Sequence, residues 1–169
     1  MSVTVATVIE IDADPHAVWD VLTDFPAYPE WNPFMDSVDG TAEVGRRLVV
    51  HLAGRGGRGT TFRPTVLVAT PGEELRWVGR LGPGGLFDGV HSFVLTANPD
   101  GTTRLTHGER FTGILVALLN GVTACSHAGF EALNKALRRR VETTGSRRED
   151  ASPEPRADPE ARSDGGATR

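Results

Sequence analysis

Two histidines and a glutamate stand at positions where strand geometry gathers them. In the segment 86–97, Phe87, Gly89, His91, Phe93 and Leu95 fall on one face, and in 102–111 Thr103, Leu105, His107, Glu109 and Phe111 do the same, since successive strand side chains point to opposite sides. Both sets mix large apolar residues with ionisable ones. The opposite faces carry Asp88, Ser92, Arg104, Thr106 and Arg110 and read as solvent-facing apart from Val90 and Val94. The apolar faces should therefore point inward and take His91, His107 and Glu109 with them. Asn98-Pro99-Asp100-Gly101 is a turn sequence that places Ala97 near Thr102. Within one residue of slip, His91 then lies opposite His107 or Glu109, at a Cβ separation of about 4.5–5.5 Å.

Three chemistries suit such a cluster. Burial raises a carboxylate pKa, and a neighbouring imidazole can share its proton. The pair would then work as a general acid–base near neutral pH. Alternatively the group is a satisfied polar network with Glu109 paired to a histidine or an arginine, since buried charges persist only when paired. Two histidines and one carboxylate also match the facial ligand set of non-haem iron. The residue set alone does not separate these readings.

A second group, Tyr28, Glu30, Trp31 and Asn32, lies in Phe25-Pro26-Ala27-Tyr28-Pro29-Glu30-Trp31-Asn32-Pro33, with three prolines and three aromatics in nine residues. Proline at that density forbids a long helix, so the segment reads as a broken helical turn over a pocket rim. Tyr28, Trp31 and Asn32 would meet a ligand there; in the competing reading Tyr28 and Trp31 cap the core and Asn32 fixes a turn before Pro33. Trp19 and Trp77 read as core; Phe62, Val66, Val68, Phe93, Phe111 and Phe130 read as core or cavity lining alike. His16 and His51 read as outward-facing. Cys125 and His127 fall near each other on a helix without facing each other. Gly54-Arg55-Gly56-Gly57-Arg58-Gly59 lacks the Gly-Lys-Ser/Thr of a phosphate loop and reads as a pliable rim of a cavity entrance.

The elements that must position these residues follow from periodicity. Val3, Val5, Thr7, Ile9 and Ile11 alternate as a first strand. Asp14 is placed as an N-cap with Pro15 in the first helical turn, and Val18, Trp19, Val21 and Leu22 form that helix's apolar side. Strands are expected at 46–53, 61–70, 74–81, 86–97 and 102–111, separated by turn sequences, as an antiparallel meander. After Gly113 the period changes: Leu115, Leu118, Leu119, Val122, Cys125, Ser126, Phe130, Leu133, Leu137 and Val141 make one face of a long helix. Gly121 marks a candidate kink, and Arg138, Arg139 and Arg140 suit the helix C-terminus. From 144 to 169 there is no aromatic or branched aliphatic residue, so this stretch is expected to be a disordered tail to a domain of residues 1–143.

Composition narrows the partners. With 169 residues, 38% hydrophobic, 24% charged and a formal net charge of −4, the chain reads as one globular domain plus a tail. It offers no electrostatic attraction to nucleic acid or an anionic membrane. The single cysteine excludes an internal disulfide. The first residues lack a basic, then apolar, secretory pattern, and the apolar run 114–119 falls far short of the ~20 residues of a spanning helix. A cytoplasmic location without stable membrane insertion is expected, as a monomer or homodimer.

Three stretches carry a resemblance. They are Val18-Trp19-Asp20-Val21-Leu22-Thr23-Asp24-Phe25 with Tyr28-Pro29-Glu30-Trp31-Asn32-Pro33-Phe34; Leu75-Arg76-Trp77 with Phe87-Asp88-Gly89-Val90-His91-Ser92-Phe93; and Thr103-Arg104-Leu105-Thr106-His107-Gly108-Glu109-Arg110-Phe111 followed by Gly129-Phe130-Glu131-Ala132-Leu133-Asn134. Together they resemble the START-like or SRPBCC superfamily, in its polyketide cyclase/dehydrase-like branch, over about residues 3 to 142. The resemblance implies an α+β helix-grip fold: two short helices after the first strand, and a strongly curved antiparallel sheet of about seven strands wrapped around a long C-terminal helix, with a cavity between. It implies no metal and no organic cofactor. The expected ligand is a small hydrophobic or aromatic molecule, with Glu109, His91 and His107 as catalytic candidates. Tyr28, Trp31, Asn32, Phe87, Phe93, Phe111 and Phe130 are the candidate ligand contacts. Cyclase- or dehydratase-type acid–base chemistry is the leading expectation. A non-catalytic carrier of lipid or another hydrophobic ligand is the alternative.

Overall fold

The computed structural model describes residues 2–54, 59–80, 85–116 and 120–150, with side chains in the last stretch from 126 to 145. The expectations for residues 55–58 of the glycine-rich loop, for residues 81–84, for the apolar Leu118 and Leu119, for the side chains of Val122 and Cys125, and for the tail from 151 onward lie outside these residues.

The chain opens with β1 (Ser2–Ile11), whose Val5 and Ile11 are buried. The first helix, α1 (Pro15–Thr23), begins where expected: the Asp14 carboxylate accepts from the backbone N–H groups of His16 and Ala17 at 2.8 and 3.2 Å. This satisfies two of the donors a helix start leaves open. Val18, Trp19 and Leu22 form its buried side. The proline-rich segment folds into a 3-10 turn (Phe25–Ala27) and one helical turn, α2 (Tyr28–Trp31).

Two antiparallel sheets follow. The smaller has the order β2 (Met35–Asp39), β3 (Val49–Leu52), β4 (Thr60–Phe62), and the larger runs β1-β8-β7-β6-β5. Its later strands are β5 (Thr65–Thr70), β6 (Glu74–Arg80), β7 (Asp88–Ala97) and β8 (Thr103–Thr112). The expected single sheet of about seven strands is thus eight described strands in sheets of five and three. The physical reason lies at Pro64, which interrupts the strand expected over 61–70. Proline has no N–H for the ladder, so pairing stops at Phe62 and resumes at Thr65 with a different partner. The two sheets stay linked there: Leu48 N–H donates to the Pro64 carbonyl, Val66 N–H donates to the Arg46 carbonyl, both at 2.9 Å, and Arg47 bridges Thr65. The strand β2 falls in a stretch read only as strands and turns, because five residues of mixed polarity carry no clear alternation.

The last helix, α3 (Asn120–Asp150), packs against β1 and α1. It runs through Asp150, past residue 144 where the tail was expected to begin. Phe130, Leu133, Leu137 and Val141 are buried at three- and four-residue steps, as the periodicity required. Gly129 lets the helix approach the α2–β2 connection. A Cβ added there would run into the Phe34 ring, which packs edge-on against Phe130 at 5.7 Å.

Leu133 is fully buried in the main core cluster. Leu133→Ala should lower unfolding stability by about 2–5 kcal/mol, read as a reduced denaturant midpoint with an unchanged slope.

Candidate functional site

The β7–β8 hairpin settles the register. Ala97 pairs with Thr103 and His91 pairs directly with Glu109, while His107 faces Phe93. Strand alternation then aims Gly89, His91, Phe93 and Leu95 inward from β7, and Thr103, Leu105, His107 and Phe111 inward from β8.

A cavity of about 110 Å³ lies between these strands and the smaller sheet, with Ser126 of α3 on its wall. Its lining is largely apolar and includes Phe34, Met35, Phe62, Trp77, Phe87 and Phe111. The polar groups in that wall include His91, Glu109 and Arg80. Trp77 holds the His91 ring by stacking at 5.0 Å and 11°. His91 is 4% exposed, and the Glu109 side chain retains 20% exposure. Glu109 Oε2 lies 3.6 Å from His91 Nδ1. Gly89 makes room for this carboxylate, since a Cβ there would stand 2.6 Å from Glu109 Oε1. Gly79, its cross-strand partner on β6, also borders the cavity, and a Cβ added at Gly79 meets nothing within 4 Å.

His107 does not border the cavity. It sits fully buried behind His91, sandwiched between Phe93 (4.3 Å) and Phe130 (4.1 Å). Both its nitrogens are engaged: Nε2 with His91 Nε2 at 2.8 Å, and Nδ1 with Asn134 Oδ1 at 2.8 Å. Asn134 in turn donates from Nδ2 to Thr7 Oγ1 at 2.9 Å, and the Thr7 hydroxyl donates to the His107 carbonyl at 3.3 Å. A continuous polar line therefore runs from Glu109 on the cavity wall through His91, His107 and Asn134 to Thr7 on β1. Burial, and then the neighbouring His91, hold the His107 pKa well below 6.5, against a smaller upward pull from the Asn134 contact.

This geometry sorts the sequence candidates. Glu109, His91 and His107 come together, with only the first two open to the cavity. Phe87 and Phe111 border it and stack on each other at 5.5 Å. Phe93 and Phe130 do not border it; they enclose His107 within the core. The aromatic group of the second segment is also placed away from the cavity wall. Tyr28 is fully buried, its hydroxyl donates to the Leu22 carbonyl at 2.6 Å, and burial raises its pKa beyond the ordinary phenol range. Asn32 Oδ1 accepts from the backbone of Phe34 and Met35 at 3.0 and 2.9 Å, which fixes the turn into β2. Trp31 packs on Tyr28 at 4.9 Å. The reason is the helical turn α2, which rolls these side chains onto the core rather than over the mouth. The iron-type reading does not fit either: the His107 nitrogens are committed to His91 and Asn134, so the three groups do not converge on one point. Among the described residues no cluster of three His, Cys, Asp or Glu side chains is arranged to hold a metal ion.

Sequence reasoning missed Asn134, Gly79 and Arg80. Asn134 carried a signal, a polar side chain between Phe130, Leu133 and Leu137 on the buried face of a helix. Gly79 and Arg80 carried none beyond their place in a strand. His51, read as facing outward, is partly exposed and pairs with Asp36.

An antiparallel sheet closed by a long C-terminal helix, with a mostly apolar cavity behind the sheet, defines an α+β domain of the START-like class. A family profile described as polyketide cyclase / dehydrase and lipid transport matches residues 2–142, and the chain belongs to that family. Among solved structures it is similar to protein MLL2253 from Mesorhizobium loti (22% identity, TM-score 0.66, covering 84% of this chain and 98% of that one). It is also similar to a START superfamily protein from Mycobacterium smegmatis (21%, 0.67, 83% and 98%). A third is the di-domain ARO/CYC StfQ from the steffimycin biosynthetic pathway (14%, 0.67, 86% and 53%). No curated protein matches the chain. No helix among the described residues is long and apolar enough to cross a membrane.

The buried His107 makes stability depend on pH in a known direction. Its folded pKa is depressed below 6.5, so below that pH the unfolded chain binds a proton the folded chain refuses. The contribution of His107 is held above pH 6.5. It falls as the pH drops toward the folded pKa, by up to about 1.4 kcal/mol per pH unit. Denaturant titrations between pH 7.5 and pH 5 should show this loss in the native protein and a slope smaller by up to one proton in His107→Leu.

Proposed function

We propose that the protein performs cofactor-independent acid–base chemistry of the cyclase or dehydratase kind on a small hydrophobic or aromatic molecule held in the cavity. The observation that carries this reading is Glu109: a carboxylate in a largely apolar wall, 3.6 Å from the nitrogen of a buried histidine. Passive holding of an apolar ligand does not need such a group. The family description and the likeness to an aromatase/cyclase fold support the reading at the level of class.

The chemistry follows from the two groups. The Glu109 carboxylate takes a proton from carbon next to a ligand carbonyl, and the C–H electron pair moves to the carbonyl oxygen as an enolate. That enolate carbon can attack a second carbonyl of the same molecule, closing a ring, and the alkoxide so formed takes the proton held on Glu109 to become a hydroxyl. The Glu109 carboxylate, regenerated, removes the second proton from the same carbon; that C–H pair becomes the ring C=C bond, and the proton, shared with His91 Nδ1, is delivered to the departing hydroxide, which leaves as water. Arg80 on the cavity wall supplies a cation for a ligand oxygen. The enclosed volume of about 110 Å³ is on the scale of the ~150 Å³ cavity that holds a benzene ring. It favours one ring-sized portion of a molecule over a long acyl chain.

The test uses deuterium uptake at the acidic carbon of a small aryl 1,3-diketone. The native protein should accelerate the exchange, and Glu109→Gln should lower the protein-dependent rate by about 10²–10⁴-fold. Equal rates in the two proteins would overturn the role of Glu109. Native mass spectrometry showing lipid retained at near-unit stoichiometry, together with no exchange, would favour a carrier instead.

Gly79 tests the cavity itself. Its missing Cβ opens onto free space, so Gly79→Leu should leave the fold intact while filling the cavity. A clash of about 1–3 kcal/mol with the ligand corresponds to a roughly 5- to 150-fold loss of diketone affinity, measured by calorimetric titration.

A further inference from the structure

We propose that Asn134 is a positioning residue: anchored by Thr7, it sets the proton order of the His107–His91 pair, so that the nitrogen left to exchange protons is His91 Nδ1, the one turned toward Glu109 and the cavity. The inference deepens the acid–base reading and rests on it for its functional meaning, but its geometric content stands separately.

The polar line is anchored on β1 and runs inward from there. Thr7 lies directly opposite His107 in the β1–β8 ladder, and its hydroxyl hydrogen is spent on the His107 carbonyl. The Thr7 oxygen is therefore an acceptor, and it takes the Asn134 amide N–H at 2.9 Å. That fixes which way the amide points: Oδ1 must face His107 Nδ1, at 2.8 Å. An amide oxygen only accepts, so His107 carries its hydrogen on Nδ1. With no carboxylate among its hydrogen-bond partners and with a phenyl ring on each face, His107 is neutral and its Nε2 is a lone pair. The 2.8 Å contact to His91 Nε2 then requires His91 to donate from that nitrogen. Every hydrogen along the line is assigned except one. His91 Nδ1 either holds a proton or leaves it on Glu109, and the exchange Glu109–H plus His91 giving Glu109 carboxylate plus imidazolium balances within the pair. Asn134 also ends the line: a primary amide does not pass a proton on as an imidazole does, so the shared proton stays at the cavity.

Histidine side-chain ¹⁵N spectra at neutral pH test this. In the native protein His107 should show a protonated, pyrrole-type Nδ1 and an unprotonated, pyridine-type Nε2, with His91 protonated at Nε2. Thr7→Val removes the anchor and should lose that single tautomer, giving averaged shifts at both His107 nitrogens. Thr7→Ser keeps the hydroxyl and should restore the native pattern. Asn134→Leu should abolish the pattern and lower diketone exchange about tenfold. Should Asn134→Leu fail to fold, the two Thr7 variants decide the matter. An Nε2–H tautomer of His107 in the native protein, or a native pattern surviving in Thr7→Val, overturns the proposal. Correct tautomers with no diketone exchange in the native protein would overturn the catalytic reading and leave the positioning role of Asn134 standing.

Discussion

A neutral imidazole enclosed by two phenyl rings needs a partner at each nitrogen, and the site is arranged around meeting that need for His107. Water cannot reach it, and an unmatched buried N–H or lone pair costs about 1–3 kcal/mol. Three parts of the chain meet the requirement: β7 brings His91, α3 brings Asn134, and β1 orients Asn134 through Thr7. These segments are far apart in sequence, so the polar line also ties the ends of the domain to its central hairpin. Phe93 and Phe130 keep the surroundings dry, which makes each of these bonds count for more.

Glu109 lies at the open end of that line. Gly89 supplies the space its carboxylate occupies, and Trp77 holds the His91 ring flat beside it. The remaining wall is largely apolar, so the ionisable pair is the natural orienting feature for any molecule that enters. The cavity is small because α3 and the α2–β2 connection close in on it, with Gly129 allowing the Phe34 ring to approach the helix. The size of the cavity and the polarity of its wall are thus set by separate residues. Glycines at positions 79, 89 and 129 shape the space, and Glu109 with His91 gives its wall an ionisable pair.

Much of the inward-facing site was legible beforehand because strand alternation is strict. Once Phe87, Phe93, Leu105 and Phe111 were assigned inward, His91 and His107 had to follow, and the turn at 98–101 bounded the register to within one residue. The candidates at Tyr28, Trp31 and Asn32 were legible as a cluster but not in their direction. A helical turn redirects side chains by about 100° per residue, so a small change in where the turn begins decides between mouth and core. Pro64 was visible in the sequence, yet its effect, one strand becoming two in separate sheets, depended on which partners lay beside it.

The sequence by itself determined the element types and the inward faces of β1, β7, β8 and α3, because these follow from periodicities of 2 and 3.6 residues within single elements. It also determined the cap at Asp14 and the succession of β6, β7 and β8. Only the tertiary structure decided that His91 rather than His107 meets the cavity, that Asn134 completes the pair, and that Gly79 and Gly89 leave space beside Glu109. Each of these is a relation between side chains on different elements, set by register, helix rotation and packing distance, and none of those quantities is carried by a local pattern of residue types.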